Sequence, residues 1–198
     1  MVQQDQVDFE DIDNKFRHLV QTDEYYSLVG KVNKAKKIYF IGNGGLHFVA
    51  SHAATDMTRL VPDKVVYSFD SVGFITSNAN DHGYNNLFVR WLETVTKVDR
   101  EEEVLVIGLS CSGNSANVIN ALEWSNQRGF ETYLISGEKS NILPVGVPEL
   151  SIHAKYFHTV EVACMMIFYD LVYKTGNRCP TIRAEKERLK DSDLRKMT

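Results

Sequence analysis

Apolar residues recur along this chain in two alternating rhythms. Short unbroken runs such as Ile38-Tyr39-Phe40-Ile41 and Val104-Leu105-Val106-Ile107 have the length and continuity of strands buried on both faces. Between such runs the apolar positions recur every three to four residues, the spacing of one helix face. The pattern predicts strands near 37–41, 65–69, 104–109, 131–135 and 149–153, and helices near 46–60, 84–97, 115–129 and 158–174. Ahead of them, residues 8–35 carry helical periodicity through Phe9, Ile12, Phe16, Leu19 and Val20, then Tyr25, Tyr26, Leu28, Val29 and Val32. Strands alternating with helices imply an α/β fold, a parallel sheet covered on both faces in a three-layer α/β/α sandwich.

No linker, repeat or low-complexity segment divides this pattern. A single domain is therefore expected over residues 1–178, with the helices of about 8–35 packing on it or between subunits. Residues 179–198 form a tail, highly charged from 181 onward and short of apolar anchors. It reads either as a solvated tail or as an extension that orders against a neighbouring subunit or over a site.

A length of 198 residues suits one domain with a sizeable core, and 43% hydrophobic with 24% charged residues is ordinary for a globular chain. The net charge of −4 and pI of about 5.9 argue against a nucleic-acid surface or an anionic membrane as partner. The three cysteines, Cys111, Cys164 and Cys179, match no zinc spacing. The polar, acidic start Met-Val-Gln-Gln-Asp-Gln-Val-Asp is no signal peptide, and no apolar stretch approaches transmembrane length. A cytoplasmic, reduced protein is expected.

Two turns carry the chemistry. Gly108-Leu109-Ser110-Cys111-Ser112-Gly113-Asn114-Ser115 follows a buried strand and opens a helix. First-turn N–H groups have no partner within a helix, and the dipole favours an anion there. Ser110, Ser112 and Ser115 can each donate an O–H to a phosphate oxygen. The lysine of a P-loop is missing, which argues against a nucleoside triphosphate. Gly42-Asn43-Gly44-Gly45 likewise joins a strand to a helix, and its glycines let a ligand approach the backbone. It is not the G-x-G-x-x-G of a dinucleotide site.

Together with Asn80-Asp81-His82-Gly83-Tyr84, these turns resemble the sugar isomerase (SIS) domain family, and within it the phosphoheptose isomerase branch. The matching segments span most of residues 1–175 in order and spacing. The resemblance implies an SIS-type fold, a sugar phosphate as ligand, aldose–ketose isomerisation, and a homo-oligomer, a tetramer, in which N-terminal helices pack between subunits. It places phosphate and substrate contacts on Asn43, Gly44, Gly45, Asn80, Asp81, Ser110, Ser112, Asn114 and Ser115. Arg59 is a further candidate to reach a phosphate or a carboxylate.

In that branch a His and a Glu at the positions of His52 and Asp56 bind zinc, and the Glu is the base. A Gln and a His on the last core helix complete the site, the His as general acid. Those two positions are Val160 and Phe168 here, the Glu has become Asp56, and the serine after the glycine turn has become Leu46. His52 and Asp56 are then the only family ligand positions retained, so no metal site and no cofactor is expected; zinc is the one candidate, two ligands short. Enediol chemistry still needs a base beside the carbonyl carbon and an acid at its oxygen. Asp56 and Glu161 are candidate bases; His47, His82, His153 and His158 are candidate acids, with His82 and His158 foremost. Two other readings stay open: a phosphosugar-binding regulatory module without turnover, and a metal-free enzyme of a different reaction type.

Overall fold

The computed structural model describes residues 7–99 and 103–182. Most of the charged tail, residues 183–198, lies outside the described residues. Two capped helices come first. In α1 (Phe9–Leu19) the Asp8 carboxylate accepts the N–H of Glu10 and Asp11, and in α2 (Asp23–Lys34) the Thr22 hydroxyl accepts that of Tyr25. The chain then alternates: β1 (Lys37–Gly42), α3 (Gly45–Leu60), β2 (Val65–Ser68), α4 (Val72–His82), α5 (Leu87–Val95), β3 (Val104–Ser110), α6 (Ala116–Gln127), β4 (Glu131–Ser136), β5 (Glu149–Ser151) and α7 (Phe157–Lys174).

The five strands form one parallel sheet in the order β2-β1-β3-β4-β5. Side chains alternate across it as the two-residue period of a strand requires. Ile38, Phe40, Leu105, Ile107 and Leu109 point into a core with α1, α2, α3 and α7. Tyr39, Ile41, Val104 and Val106 point into a second core with α5 and α6. This is the expected three-layer sandwich. The N-terminal helices cover this chain's own core through Ile12, Leu19, Tyr25, Leu28 and Val32, while Phe9 and Tyr26 stay exposed. The Tyr133 hydroxyl donates to Glu24 O at 2.6 Å, and Lys31 pairs with Glu131, so α2 is tied to β4.

The elements depart from the expected bounds in one place of consequence. The segment before Gly83, expected as a loop, is α4, and Asn80, Asp81 and His82 sit on its last turn. No residue of α4 is buried, which is why no amphipathic period announces it. The helix expected at 84–97 opens with a 3-10 turn, Tyr84–Asn86, and only then becomes α5. Among the described residues no helix is long and apolar enough to cross a membrane.

Candidate active site at the β1–β3 switch point

In this strand order the chain leaves β1 toward β2 and leaves β3 toward β4, in opposite directions across the sheet. Such a reversal opens a crevice at the carboxyl ends of the two strands, where open α/β sheets bind ligands. The two turns singled out in the sequence line that crevice, since β1 ends at Gly42 and β3 at Ser110.

The serine turn is held from behind. Its Gly113 takes φ +69°, and a Cβ there would strike Glu138 O and Ser140 N, so only glycine fits. The Asn114 carboxamide oxygen accepts from Ser140 Oγ and Asn141 N, both at 3.2 Å, which fixes the turn to the loop after β4. Gly137 N donates to Ser110 O at 3.0 Å and Glu138 N to Cys111 O at 2.9 Å. Ser110 is buried, and its hydroxyl lies 3.0 Å from that of Ser115. Ser115 is the N-cap of α6 yet makes no side-chain cap, so its hydroxyl serves the turn rather than the helix. Ser112 is exposed. Hydroxyls and the start of α6 thus converge where an oxyanion is favoured.

The glycine turn is joined to the serine turn by a reciprocal amide pair. Asn43 Nδ2 donates to Asn117 Oδ1 at 2.9 Å, and Asn117 Nδ2 donates to Asn43 Oδ1 at 2.8 Å. The Tyr84 hydroxyl donates to the same Asn43 oxygen at 3.0 Å. Asn117 is only 3% exposed, so leaving its amide unpaired would cost roughly 1–3 kcal/mol. Beside this junction lies a cavity of about 180 Å³ walled by Gly42, Gly44, His47, Phe48, Phe69 and Tyr84, among others.

Across the glycine turn from Asn43 stands Glu161, in the first turns of α7. A methyl group on Gly45 would fall inside the Glu161 carboxylate, so the carboxylate rests against the first residue of α3. A negative charge there is favoured by the helix dipole. His158 Nδ1 lies 3.5 Å from Glu161 Oε2 and is exposed. Burial, and then the Glu161 charge, push the Cys111 thiol up to about 11, so Cys111 stays a neutral thiol near neutral pH. The structure therefore gathers Glu161, His158, Cys111 and both turns at the carboxyl end of the sheet.

Asp56, His52 and Arg59 are elsewhere. Asp56 is eleven residues along α3 from Gly45, about 16 Å at the helical rise. There it pairs with Arg59 at 3.1 Å and with His52 at 3.3 Å, and His52 Nε2 meets the Tyr169 hydroxyl at 2.8 Å. Along α3 this cluster thus lies about three turns from the glycine turn. Asn80, Asp81 and His82 are exposed, Asn80 donating to Asp81 at 2.8 Å. His153 is exposed at φ +54°, beside the sheet-edge strand β5.

Zinc does not fit these residues. Val160 and Phe168, at the two remaining ligand positions, are 1% and 3% exposed and belong to the core, Phe168 packing edge-on to Phe40 with ring centroids 4.9 Å apart. Leu46 is likewise buried in that core. Among the described residues no three His, Cys, Asp or Glu side chains could converge on a metal.

Asn117, Cys111 and Tyr169 were not among the candidates from sequence. Asn117 left one signal, a carboxamide directly before the buried pair Val118-Ile119 at the start of α6. Tyr84 stood inside a motif with no part assigned to its hydroxyl.

No family model matches the chain. The phosphoheptose isomerase of Escherichia fergusonii is 33% identical over 125 residues, 61% of this chain and 62% of that protein. The chain thus spans about three fifths of the length of the curated relatives it matches. Among solved structures, phosphoheptose isomerase GmhA from Neisseria gonorrhoeae superposes with a TM-score of 0.71 at 18% identity, over 85% of this chain and 94% of that one. A phosphoheptose isomerase from Francisella tularensis gives 0.71 at 15% identity, over 84% and 93%. The fold is shared along nearly all of both.

Proposed function

We propose, for a chain that has the sugar isomerase (SIS) fold and is related in sequence to phosphoheptose isomerases, that it binds a sugar phosphate at the β1–β3 crevice and interconverts its aldose and ketose forms. The observation that carries this reading is the placing of Glu161. A carboxylate rests on the start of α3, beside two turns built to receive an anion and its attached polyol. In the reading, the phosphate lies on Ser110, Ser112 and Ser115 with the N–H groups of the turn, and the sugar extends toward Asn43–Gly45. Glu161 takes the proton from the carbon next to the carbonyl and returns it to the neighbouring carbon. His158, 3.5 Å from Glu161, gives a proton to the carbonyl oxygen and takes one from the neighbouring hydroxyl as that becomes the new carbonyl, so the proton count closes. No step passes through a metal. The reading also includes a tetramer of this chain in the cytoplasm, the exposed Phe9 and Tyr26 of the N-terminal helices lying between subunits.

The test is consumption of sedoheptulose 7-phosphate, with exchange of its carbon-bound hydrogen in heavy water. Wild type turns over and exchanges; Glu161→Gln binds but does neither. Binding without exchange by wild type, across five- to seven-carbon phosphosugars, would replace this reading with a second one, a phosphosugar-sensing module. The core positions of Val160 and Phe168 favour that alternative, because they have given up polar chemistry for packing.

A further inference from the structure

The Asn43–Asn117–Tyr84 junction has a role that its residues do not share with the phosphate contacts. It joins three segments from separate parts of the chain. Asn43 is the turn after β1, Asn117 is the second residue of α6, and Tyr84 opens the 3-10 turn after α4. The serine turn has its own supports, the Asn114 bonds to Ser140 and Asn141 and the backbone bonds to Gly137 and Glu138. The glycine turn is set relative to it by the amide pair at 2.8 and 2.9 Å. The α4 segment has no buried residue of its own. Tyr84 ties it to Asn43, and Asn120 Nδ2 ties it to α6 through Asn85 O at 3.2 Å.

We propose that Asn117 and Tyr84 are positioning residues that act through Asn43, fixing the glycine turn and the Tyr84 segment at a set distance from the serine turn. The inference rests on the sugar-phosphate reading above and deepens it. A ligand that occupies the serine turn alone does not sense this junction. A ligand that spans both turns does, because its far end meets groups whose place depends on Asn43. Inorganic phosphate is the first kind of ligand and a sugar phosphate the second. Orienting both ends of one ligand in advance lowers the ordering cost of binding.

Tyr84→Phe is the informative variant, since Tyr84 is 52% exposed and its ring remains. Calorimetric titration of sedoheptulose 7-phosphate should show affinity weakened roughly three- to tenfold, the worth of one neutral hydrogen bond. Inorganic phosphate should bind within about twofold of wild type, because its contacts stand on the serine turn's own supports. Amide hydrogen exchange across residues 80–86 should quicken in the same variant. Asn117→Ala should show the same split between ligands, together with a lower melting temperature. Equal losses for both ligands, unchanged sugar-phosphate affinity, or unchanged exchange across 80–86 would each overturn the positioning role. A wild type that binds phosphate but no sugar phosphate would instead remove the underlying reading, and this inference with it.

Discussion

Gly45→Ala separates the catalytic reading of Glu161 from a structural one. An ideal Cβ at Gly45 overlaps the carboxylate of Glu161, whose atoms are the three nearest to it. The obstacle is the far end of a flexible side chain, and Glu161 is 28% exposed, so it can swing toward solvent. The stability cost is therefore small, and alanine itself favours a helix over glycine by about 0.5–1 kcal/mol. The two effects oppose each other, leaving a net change under about 1 kcal/mol, or a melting shift of no more than about 2–4 °C for a chain of this size. Catalysis should fare differently. A positioned general base contributes roughly 10²–10⁴ in rate, and most of that is lost when its carboxylate is displaced.

A second readout follows from the same geometry. The Glu161 charge is the smaller of two causes that push the Cys111 thiol up to about 11, burial being the larger. At pH 8 such a thiol is about one part in a thousand thiolate, and alkylation by iodoacetamide is correspondingly slow. Moving the carboxylate away lowers the pKa, raises the thiolate fraction and speeds alkylation of Cys111 a few-fold, read by peptide mass mapping. Gly45→Ala should therefore fold, alkylate faster at Cys111 and lose turnover. A variant that alkylates faster yet keeps turnover within about twofold refutes Glu161 as the base, since so small a change is far below a base's contribution. One with wild-type alkylation and wild-type turnover refutes the contact itself.

Ser110→Ala with Ser115→Ala should abolish measurable sugar-phosphate binding in a thermal-shift titration, because the two hydroxyls lie 3.0 Å apart at the start of α6; an undiminished shift would remove the phosphate from this turn. The hydrogen bond from Lys31 holds the Glu131 carboxyl below its usual value of 4.5. A carboxylate depressed in the folded state stabilises it above its unfolded pKa, and that contribution is lost as pH falls through the folded one. Lys31→Met should then cost about 0.5–1 kcal/mol at pH 7 after solvent screening and progressively less as pH falls through the folded carboxyl's titration, read by urea titration from pH 7 downward; a loss that does not change with pH would point to packing instead. Phe168→His should lower stability by at least about 2 kcal/mol without conferring zinc binding, since it puts an imidazole into a core position with no converging ligands; stoichiometric zinc in the purified variant would contradict that.

What was legible in the sequence was whatever the chain repeats. β1 and β3 alternate their side chains between two apolar cores, so the runs Ile38–Ile41 and Val104–Ile107 read as buried strands without help from any neighbour. The serine turn was legible because hydroxyls crowd the mouth of a helix. Helix α4 was not, because a helix that buries none of its residues leaves no period to read. The site's organisation was illegible for a related reason. Helical spacing correctly put His52 beside Asp56, at 3.3 Å, but it says nothing about which part of α3 faces which ligand. The three-dimensional pairing of Gly45 with Glu161 answers that. It brings residues 116 positions apart into contact and leaves Asp56 about 16 Å down the helix. The absent side chain at Gly45 is what lets the carboxylate reach the crevice. An alanine there would leave the hydrophobic pattern of α3 unaltered and displace the carboxylate proposed as the base.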